Sequence, residues 1–206
     1  MASNKVKSGN GNDSRRGTNR TCTVSDQSAP DFCGTAVING IAKEIKLSNY
    51  KGKYLVLIFY PMDFYYVCLT EIIAFSERIH EFKCLNCEIV ACSTDSDLSH
   101  CSWLCTDREH GGVGQVNFPL LADKNCRIAK DYGVLNEAEG IAFRATFVID
   151  DKGRIRQSTI NDVDVGRCVE EVLRSVRAFQ QLKRTREECP MDSELDELKP
   201  KIRRKK

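Results

Sequence analysis

The sequence predicts an α/β fold in which a mixed β-sheet is flanked by helices. Two observations predict this class. Residues 54–60 form a continuous apolar, β-rich run, which is typical of a central strand covered on both faces. Farther along, apolar segments at residues 145–150 and 154–160 flank an Asp-Lys-Gly turn, and this pattern predicts a β-hairpin.

A helix is expected directly after the central strand. Pro61 ends the apolar run. Four apolar residues then recur at the spacing of one helical face: Ile72, Phe75, Ile79 and Phe82. Residues 88–93 form a second apolar strand. Strand, helix and strand in this order predict a βαβ unit, whose two strands pair in parallel.

A further helix closes the predicted domain. Its inner face is expected to consist of five apolar residues: Val165, Val169, Val172, Val176 and Phe179. A parallel βαβ unit, a hairpin and a closing helix follow one another in thioredoxin-like order. We therefore expect a thioredoxin-like mixed sheet flanked by helices, with a C-terminal arm where the composition turns charged.

The composition divides the 206 residues into three parts. Residues 1–28 lack apolar periodicity and are expected to form a disordered basic N-terminal extension. Residues 29–180 would form the thioredoxin-like domain, and residues 181–206 a C-terminal arm with Cys189 and a basic tail. Solvated tails are the favoured interpretation of the two basic ends; nucleic-acid binding is the alternative, and we do not expect it.

The sequence shows no membrane segment. Its longest apolar run has seven residues, and the first 28 residues contain no apolar signal-peptide core. We expect a cytoplasmic protein, with the nucleus as the alternative because the chain ends in Arg-Arg-Lys-Lys. Eleven cysteines without an export signal argue against a disulfide framework, so most should be reduced and packed as small apolar side chains.

Cys68 is the candidate nucleophile among these cysteines. It lies between the end of the central strand and the start of the next helix. Ligands of open α/β sheets gather at the carboxyl ends of strands, and a helix N-terminus favours a thiolate over a thiol. The position alone leaves two interpretations open, a reactive thiol and a buried structural cysteine.

The residues around Cys68 favour the reactive thiol. Residues 59–72 closely resemble the peroxidatic-cysteine segment of typical two-cysteine peroxiredoxins, which are thioredoxin-dependent peroxidases. Further pieces resemble this family in the same order: residues 85–87, 99–103, 111–114, 131–135, 140–144, 161–167 and 189–190. The resemblance extends from about residue 29 to residue 190, which is most of the chain.

The resemblance implies roles for five side chains. Cys68 would attack a peroxide oxygen and become a sulfenic acid. Arg144 matches the active-site arginine, which would hold the thiolate and stabilise charge on the leaving oxygen. Glu71 matches the position that orients this arginine, and Pro61 and Tyr65 lie at further active-site positions. The alternatives are a surface ion pair for the arginine and an ordinary first-turn carboxylate for the glutamate.

The resemblance also implies an assembly and a reductant. Cys189, followed by proline, matches the resolving cysteine that attacks the sulfenic acid of the partner subunit. The implied partners are a second copy in an antiparallel homodimer, which decamers would extend, and thioredoxin, which would reduce the intersubunit disulfide. No cofactor is implied.

Three departures from the family pattern bear on activity. Tyr65 replaces a threonine or serine that orients the peroxide, and its ring must fit a tight pocket. Leu69 replaces a proline, which should change how easily the helix unwinds. Residues 111–114 resemble a loop linked to overoxidation, but its usual Tyr-Phe partner is absent, so we expect fast disulfide formation and resistance to overoxidation. The alternative function is a catalytically weak relative that acts as a redox sensor, holdase chaperone or scaffold.

Other residues with reactive or metal-binding side chains are expected to have structural roles. Cys84 and Cys87, with Cys101 and Cys105, have the pairwise spacing of a zinc site, but one pair leads into a strand and the other lies on a helix. We therefore expect no metal. Arg167 is family-like and is expected to be structural.

Overall fold

The computed structural model describes residues 27–185 and places them in one mixed α/β fold. The strands in this range are β1 (Cys33–Ile38), β2 (Ile41–Lys46), β3 (Tyr54–Phe59), β4 (Cys87–Ser93), β5 (Leu120–Ala122), β6 (Leu135–Asn136), β7 (Ile141–Ala142), β8 (Arg144–Ile149) and β9 (Ile155–Asn161). The α-helices are α1 (Tyr66–Glu77), α2 (Ile79–Cys84), α3 (Asp97–Cys105), α4 (Arg127–Asp131) and α5 (Val169–Thr185).

Seven of these strands form one sheet in the order β2-β1-β5-β4-β3-β8-β9. The central strands β3, β4 and β5 are parallel, whereas β8 pairs antiparallel with both β3 and β9. β6 and β7 form a separate two-stranded sheet. The expected parallel βαβ unit, the hairpin and the mixed sheet flanked by helices are confirmed.

The central strand β3 is buried along its whole length because both faces of the sheet are covered. Alternate side chains point to opposite faces. Val56 and Ile58 pack in the hydrophobic cluster beneath α1, α2, α3 and α5. Leu57 and Phe59 pack in the second cluster, with β8 and α4. The apolar run at residues 54–60 therefore corresponds to a strand that is buried on both faces of the sheet.

The helix expected after β3 is interrupted. α1 ends at Glu77, and α2 begins at Ile79. Arg78 between them has φ −100° and ψ 12°, outside regular helical geometry. The apolar periodicity continues across the break because the residues on both sides pack into the same cluster.

The closing helix differs from the expectation at its first residue. α5 begins at Val169, and Val165 lies before it with 55% of its surface exposed, so Val165 is wrongly included in the inner helical face. The other end extends to Thr185, past residue 180, after which the arm was expected to begin. The three-part division of the chain stays a prediction, and Cys189 lies outside the described residues.

The fold brings three chain segments, β3, α1 and β8, together at one end of the strands. β3 ends there and leads through Pro61 into α1. β8 begins there, because Ala145 pairs with Phe59 in the antiparallel register. Between residues 27 and 185, no helix has the length and apolar character needed to cross a bilayer.

Candidate active site

Cys68 lies in the first turn of α1 and is fully buried. Tyr65 precedes the helix as its N-cap, with extended backbone angles. The Leu69 amide donates a hydrogen bond to the Tyr65 carbonyl oxygen (2.9 Å). The structure thus places the thiol at a strand-to-helix junction, as expected from the sequence.

Arg144 is the cation beside this thiol. It is the first residue of β8, it is fully buried, and its Nη2 lies 3.5 Å from Cys68 Sγ. Its Nε and Nη2 donate to the Val163 carbonyl oxygen (2.9 and 2.7 Å), and its Nη1 donates to Glu71 Oε2. These bonds fix the guanidinium with one nitrogen directed at the sulfur.

Glu71 lies one helical turn after Cys68 and joins two arginines. Its side chain is 3% exposed and contacts both Arg144 and Arg167. The Arg167 amide and Nε donate to Oε1 (2.6 and 2.8 Å), and its Nη2 donates to Oε2 (2.8 Å). Burial acts to raise the pKa of the Glu71 carboxyl, but the hydrogen bonds and charges of the two arginines outweigh it and lower this pKa.

Arg167 is the residue that sequence reasoning placed outside the site. Its Nη1 donates to the carbonyl oxygens of Phe59 (2.9 Å) and Ala145 (2.6 Å), so it links the ends of β3 and β8 to Glu71. The family-like residues 161–167 were the available signal for it. Val163 was also missed, because a backbone carbonyl acceptor leaves no mark in the residue type.

The burial of the Cys68 sulfur opposes its ionisation. Burial raises the pKa of the Cys68 thiol, and Glu71 adds to this rise. A backbone hydrogen bond from Met62 and the Arg144 guanidinium lower the pKa without offsetting burial. Desolvation of the fully buried sulfur acts against the helix N-terminus and the guanidinium, which both favour the thiolate.

Tyr65 occupies the position of the small hydroxyl residue, and its own hydroxyl is bonded to another chain segment. Its ring is partly buried against the core, and its hydroxyl donates to Asp164 Oδ1 (2.5 Å). The expected tight enclosure of the ring is therefore only partial. Pro61 is buried between β3 and α1.

Among the cysteines in residues 27–185, Cys68 is the one with a hydrogen bond from Arg144. Burial raises the pKa of Cys87 to about 12, and Cys84 and Cys105 are exposed. In the described part of the chain, no three His, Cys, Asp or Glu side chains form a group suited to a metal ion. His100 is buried, and its Nδ1 lies 2.9 Å from Asp63 Oδ2.

A thioredoxin-like sheet with a buried thiol beside a fixed guanidinium defines a class of thiol-dependent redox proteins. Comparison with known proteins identifies the family. The AhpC/TSA family model matches residues 25–158. Peroxiredoxin 2 of Drosophila melanogaster is 59% identical over 162 residues, which cover 79% of this chain and 84% of that protein.

Other relatives agree with this match. Peroxiredoxin-2 of Bos taurus is 57% identical over 162 residues, covering 79% of this chain and 81% of that protein. The crystal structure of the reduced 2-Cys peroxiredoxin of Plasmodium vivax superposes with a TM-score of 0.80 at 35% identity, covering 82% of this chain and 88% of that chain. The chain therefore belongs to the AhpC/TSA family, and within it to the typical two-cysteine peroxiredoxins.

Proposed function

We propose that this protein is a thiol peroxidase that reduces hydrogen peroxide and organic hydroperoxides through Cys68. The observation that carries this proposal is the contact of 3.5 Å between Cys68 Sγ and Arg144 Nη2, in a buried site that also holds Glu71. A buried guanidinium beside a thiol favours the charged form and attracts developing negative charge.

In the first step, the Cys68 thiolate attacks one peroxide oxygen. An S–O bond forms and the O–O bond breaks, so the sulfur is oxidised to a sulfenic acid. The other oxygen leaves as hydroxide, or as alkoxide from an organic hydroperoxide, and takes up a proton. Arg144 would stabilise the charge on this leaving oxygen, and Glu71 would hold Arg144 in place.

Pro61 and Tyr65 complete the proposed site. Pro61 has a fixed φ angle and directs the chain from β3 toward α1. Tyr65 caps the helix that carries Cys68, and its hydroxyl oxygen retains lone pairs that accept a hydrogen bond while it donates to Asp164.

For the second step, we propose Cys189 as the resolving cysteine and a homodimer as the working unit, with thioredoxin as the reductant of the intersubunit disulfide. β9 supports the dimer, because it ends the order of the seven-stranded sheet and exposes 51% of Ile160. An outer strand with an exposed apolar side chain is suited to pairing with a second copy. Decamers and a cytoplasmic location stay predictions.

Two observations favour a second candidate function, a weak peroxidase that acts as a redox sensor, holdase or scaffold. Tyr65 stands where the family has a threonine or serine, and burial raises the pKa of Cys68. Both features lower the expected reactivity with peroxide.

The test is peroxide consumption coupled to thioredoxin, thioredoxin reductase and NADPH. We expect the wild type to turn over and Cys68→Ser to be inactive, with Cys105→Ser as the matched control for an exposed thiol. After a peroxide pulse, a non-reducing gel should show a dimer band that both Cys68→Ser and Cys189→Ser abolish. A wild type as inert as Cys68→Ser would leave the second candidate.

A further inference from the structure

Residues 162–167, in the connection between β9 and α5, lie against the first turn of α1. The Val163 carbonyl holds Arg144, and Arg167 holds Glu71. A Cβ added to Gly166 would lie 3.5 Å from Val67 Cγ1, which is an ordinary van der Waals contact. The segment thus contacts the helix directly beside Cys68.

One bond in this contact joins a side chain of the segment to the N-cap residue of the helix. Tyr65 donates its phenol proton to Asp164 Oδ1 at 2.5 Å, across 99 residues of sequence. This bond raises the pKa of Tyr65, which keeps the phenol in its donating form. The Leu69 amide, which donates to the Tyr65 carbonyl, ties the same residue to the helical turn that contains Cys68.

We propose that Asp164 is a positioning residue that latches Tyr65 and so controls how fast the first turn of α1 opens for disulfide formation. This inference rests on the proposed function. The latch is the Tyr65–Asp164 hydrogen bond, and opening means separation of Tyr65 from residues 162–167.

Opening is required because the Cys68 sulfur is fully buried. In the resolving step, the Cys189 thiolate attacks the sulfenic sulfur of Cys68. An S–S bond forms and the S–O bond breaks, and the departing hydroxide takes up a proton to give water. A second sulfur must approach the first one for this attack, so the rate depends on access.

The latch differs from the other contacts of the segment in its exposure. Arg167 and Glu71 are almost fully buried, with 4% and 3% of their side chains exposed. Asp164 is exposed, so its bond with Tyr65 competes with water. The ion pair therefore stabilises both the closed and the partly opened site, whereas the outer bond is the contact whose loss changes the opening rate.

The experiment separates the two chemical steps in the full chain. A peroxide pulse is followed by rapid alkylation and mass spectrometry, which counts sulfenic acid and disulfide at Cys68 over time. Opening is followed in parallel by fluorescence of Trp103, the single tryptophan, whose ring lies 6.2 Å from the ring of Phe64 beside Tyr65. The variants are Asp164→Asn and Asp164→Ala, with Asp107→Asn as the control for loss of one exposed carboxylate.

We expect sulfenic acid to form at the wild-type rate in both Asp164 variants. Disulfide formation should accelerate about three- to tenfold in Asp164→Ala and less in Asp164→Asn, whose amide still accepts a weaker hydrogen bond. The fluorescence change should accelerate in the same order, and the sulfinic acid formed at high peroxide should fall. Asp107→Asn should match the wild type in every measurement.

A double-mutant cycle with Tyr65→Phe tests whether Asp164 acts through the phenol. In the Tyr65→Phe background, Asp164→Ala should have no further effect on the disulfide rate. An undiminished effect, or normal sulfenic acid with an unchanged disulfide rate in both Asp164 variants, would overturn the latch and leave the peroxidase intact. No sulfenic acid at Cys68 in the wild type would overturn the proposed function instead.

Discussion

Replacement of Glu71 by glutamine removes the carboxylate that both Arg144 and Arg167 contact. The Glu71 side chain is 3% exposed, and the side chains of the two arginines are 0% and 4% exposed. The variant would leave two buried guanidinium groups without their anionic partner. Removal of one member of a buried ion pair is strongly destabilising, because the remaining charge stays desolvated and unpaired.

The burial of all three side chains determines the expected loss of stability. Loss of one partner from a buried pair costs about 3–5 kcal/mol in the free energy of unfolding. For a domain of this size, each kcal/mol corresponds to a Tm shift of about 2–4 °C, so Glu71→Gln should lower Tm by about 6–20 °C. The peroxide rate should fall as well, because Arg144 loses the bond that orients it toward Cys68.

Differential scanning calorimetry measures the stability, and Glu81→Gln is the matched control. Glu81 pairs with Arg78 in a partly exposed position, where solvent screens the pair far more than at Glu71, so its loss should change Tm less. Equal Tm values for the two variants would refute the assignment of Glu71 as the buried anchor of the site.

The pH dependence of the folding stability is a second test of the Glu71 carboxyl. The pKa of Glu71 is lower in the folded chain than its ordinary value, so its contribution to stability is complete above the unfolded pKa. This contribution is lost as the pH falls through the folded pKa. The stability difference between wild type and Glu71→Gln should therefore shrink in acid, and a constant difference would contradict the pKa direction.

Three further predictions concern other groups. The rate of sulfenic acid formation in stopped-flow experiments should rise from neutral to alkaline pH, because burial raises the pKa of Cys68; a flat profile would contradict this. Arg144→Lys should lower the peroxide rate about 10- to 1,000-fold and raise the pKa of Cys68 further, as read from thiolate absorbance; an unchanged rate would exclude the guanidinium from the chemistry. Gly112→Ala should destabilise the protein in urea unfolding more than Gly34→Ala. A Cβ at residue 112 would lie 1.8 Å from the Thr106 carbonyl oxygen, whereas a Cβ at residue 34 would lie 3.1 Å from a side-chain carbon. Equal losses of stability would contradict the close backbone approach at Gly112.

The sequence predicts the central architecture because burial leaves periodic patterns. The unbroken apolar run of β3 and the turn between β8 and β9 depend on local residues, and both elements lie where expected. Val165 was misassigned because the apolar spacing continued past the start of α5, while the chain there turns against α1. Periodicity does not distinguish a helical face from an exposed apolar residue in the preceding loop.

The candidate site was only partly accessible from the sequence. Cys68 could be singled out from its strand-to-helix position, but Arg144 is 76 residues away and meets it only through the register of β3 and β8. The family resemblance pointed to this arginine; composition and spacing did not. The partnership of Tyr65 with Asp164 and the backbone carbonyl of Val163 depend on the path of residues 162–167, which no local pattern reports.

The ionisation of Cys68 is another property that the sequence did not predict. A helix N-terminus and a nearby arginine favour a thiolate, and both were identified from the sequence. The opposing effect is desolvation, which depends on how completely the surrounding residues enclose the sulfur. The extent of this burial became visible only in the folded structure.

The central claim is that Cys68, held beside Arg144, is the thiol that reacts with peroxide. The most direct measurement is a single-turnover reaction of the fully reduced chain with one equivalent of hydrogen peroxide, quenched rapidly and mapped cysteine by cysteine. The account predicts that Cys68 is oxidised first, while exposed thiols such as Cys84 and Cys105 stay reduced. Oxidation of an exposed cysteine ahead of Cys68 would contradict it.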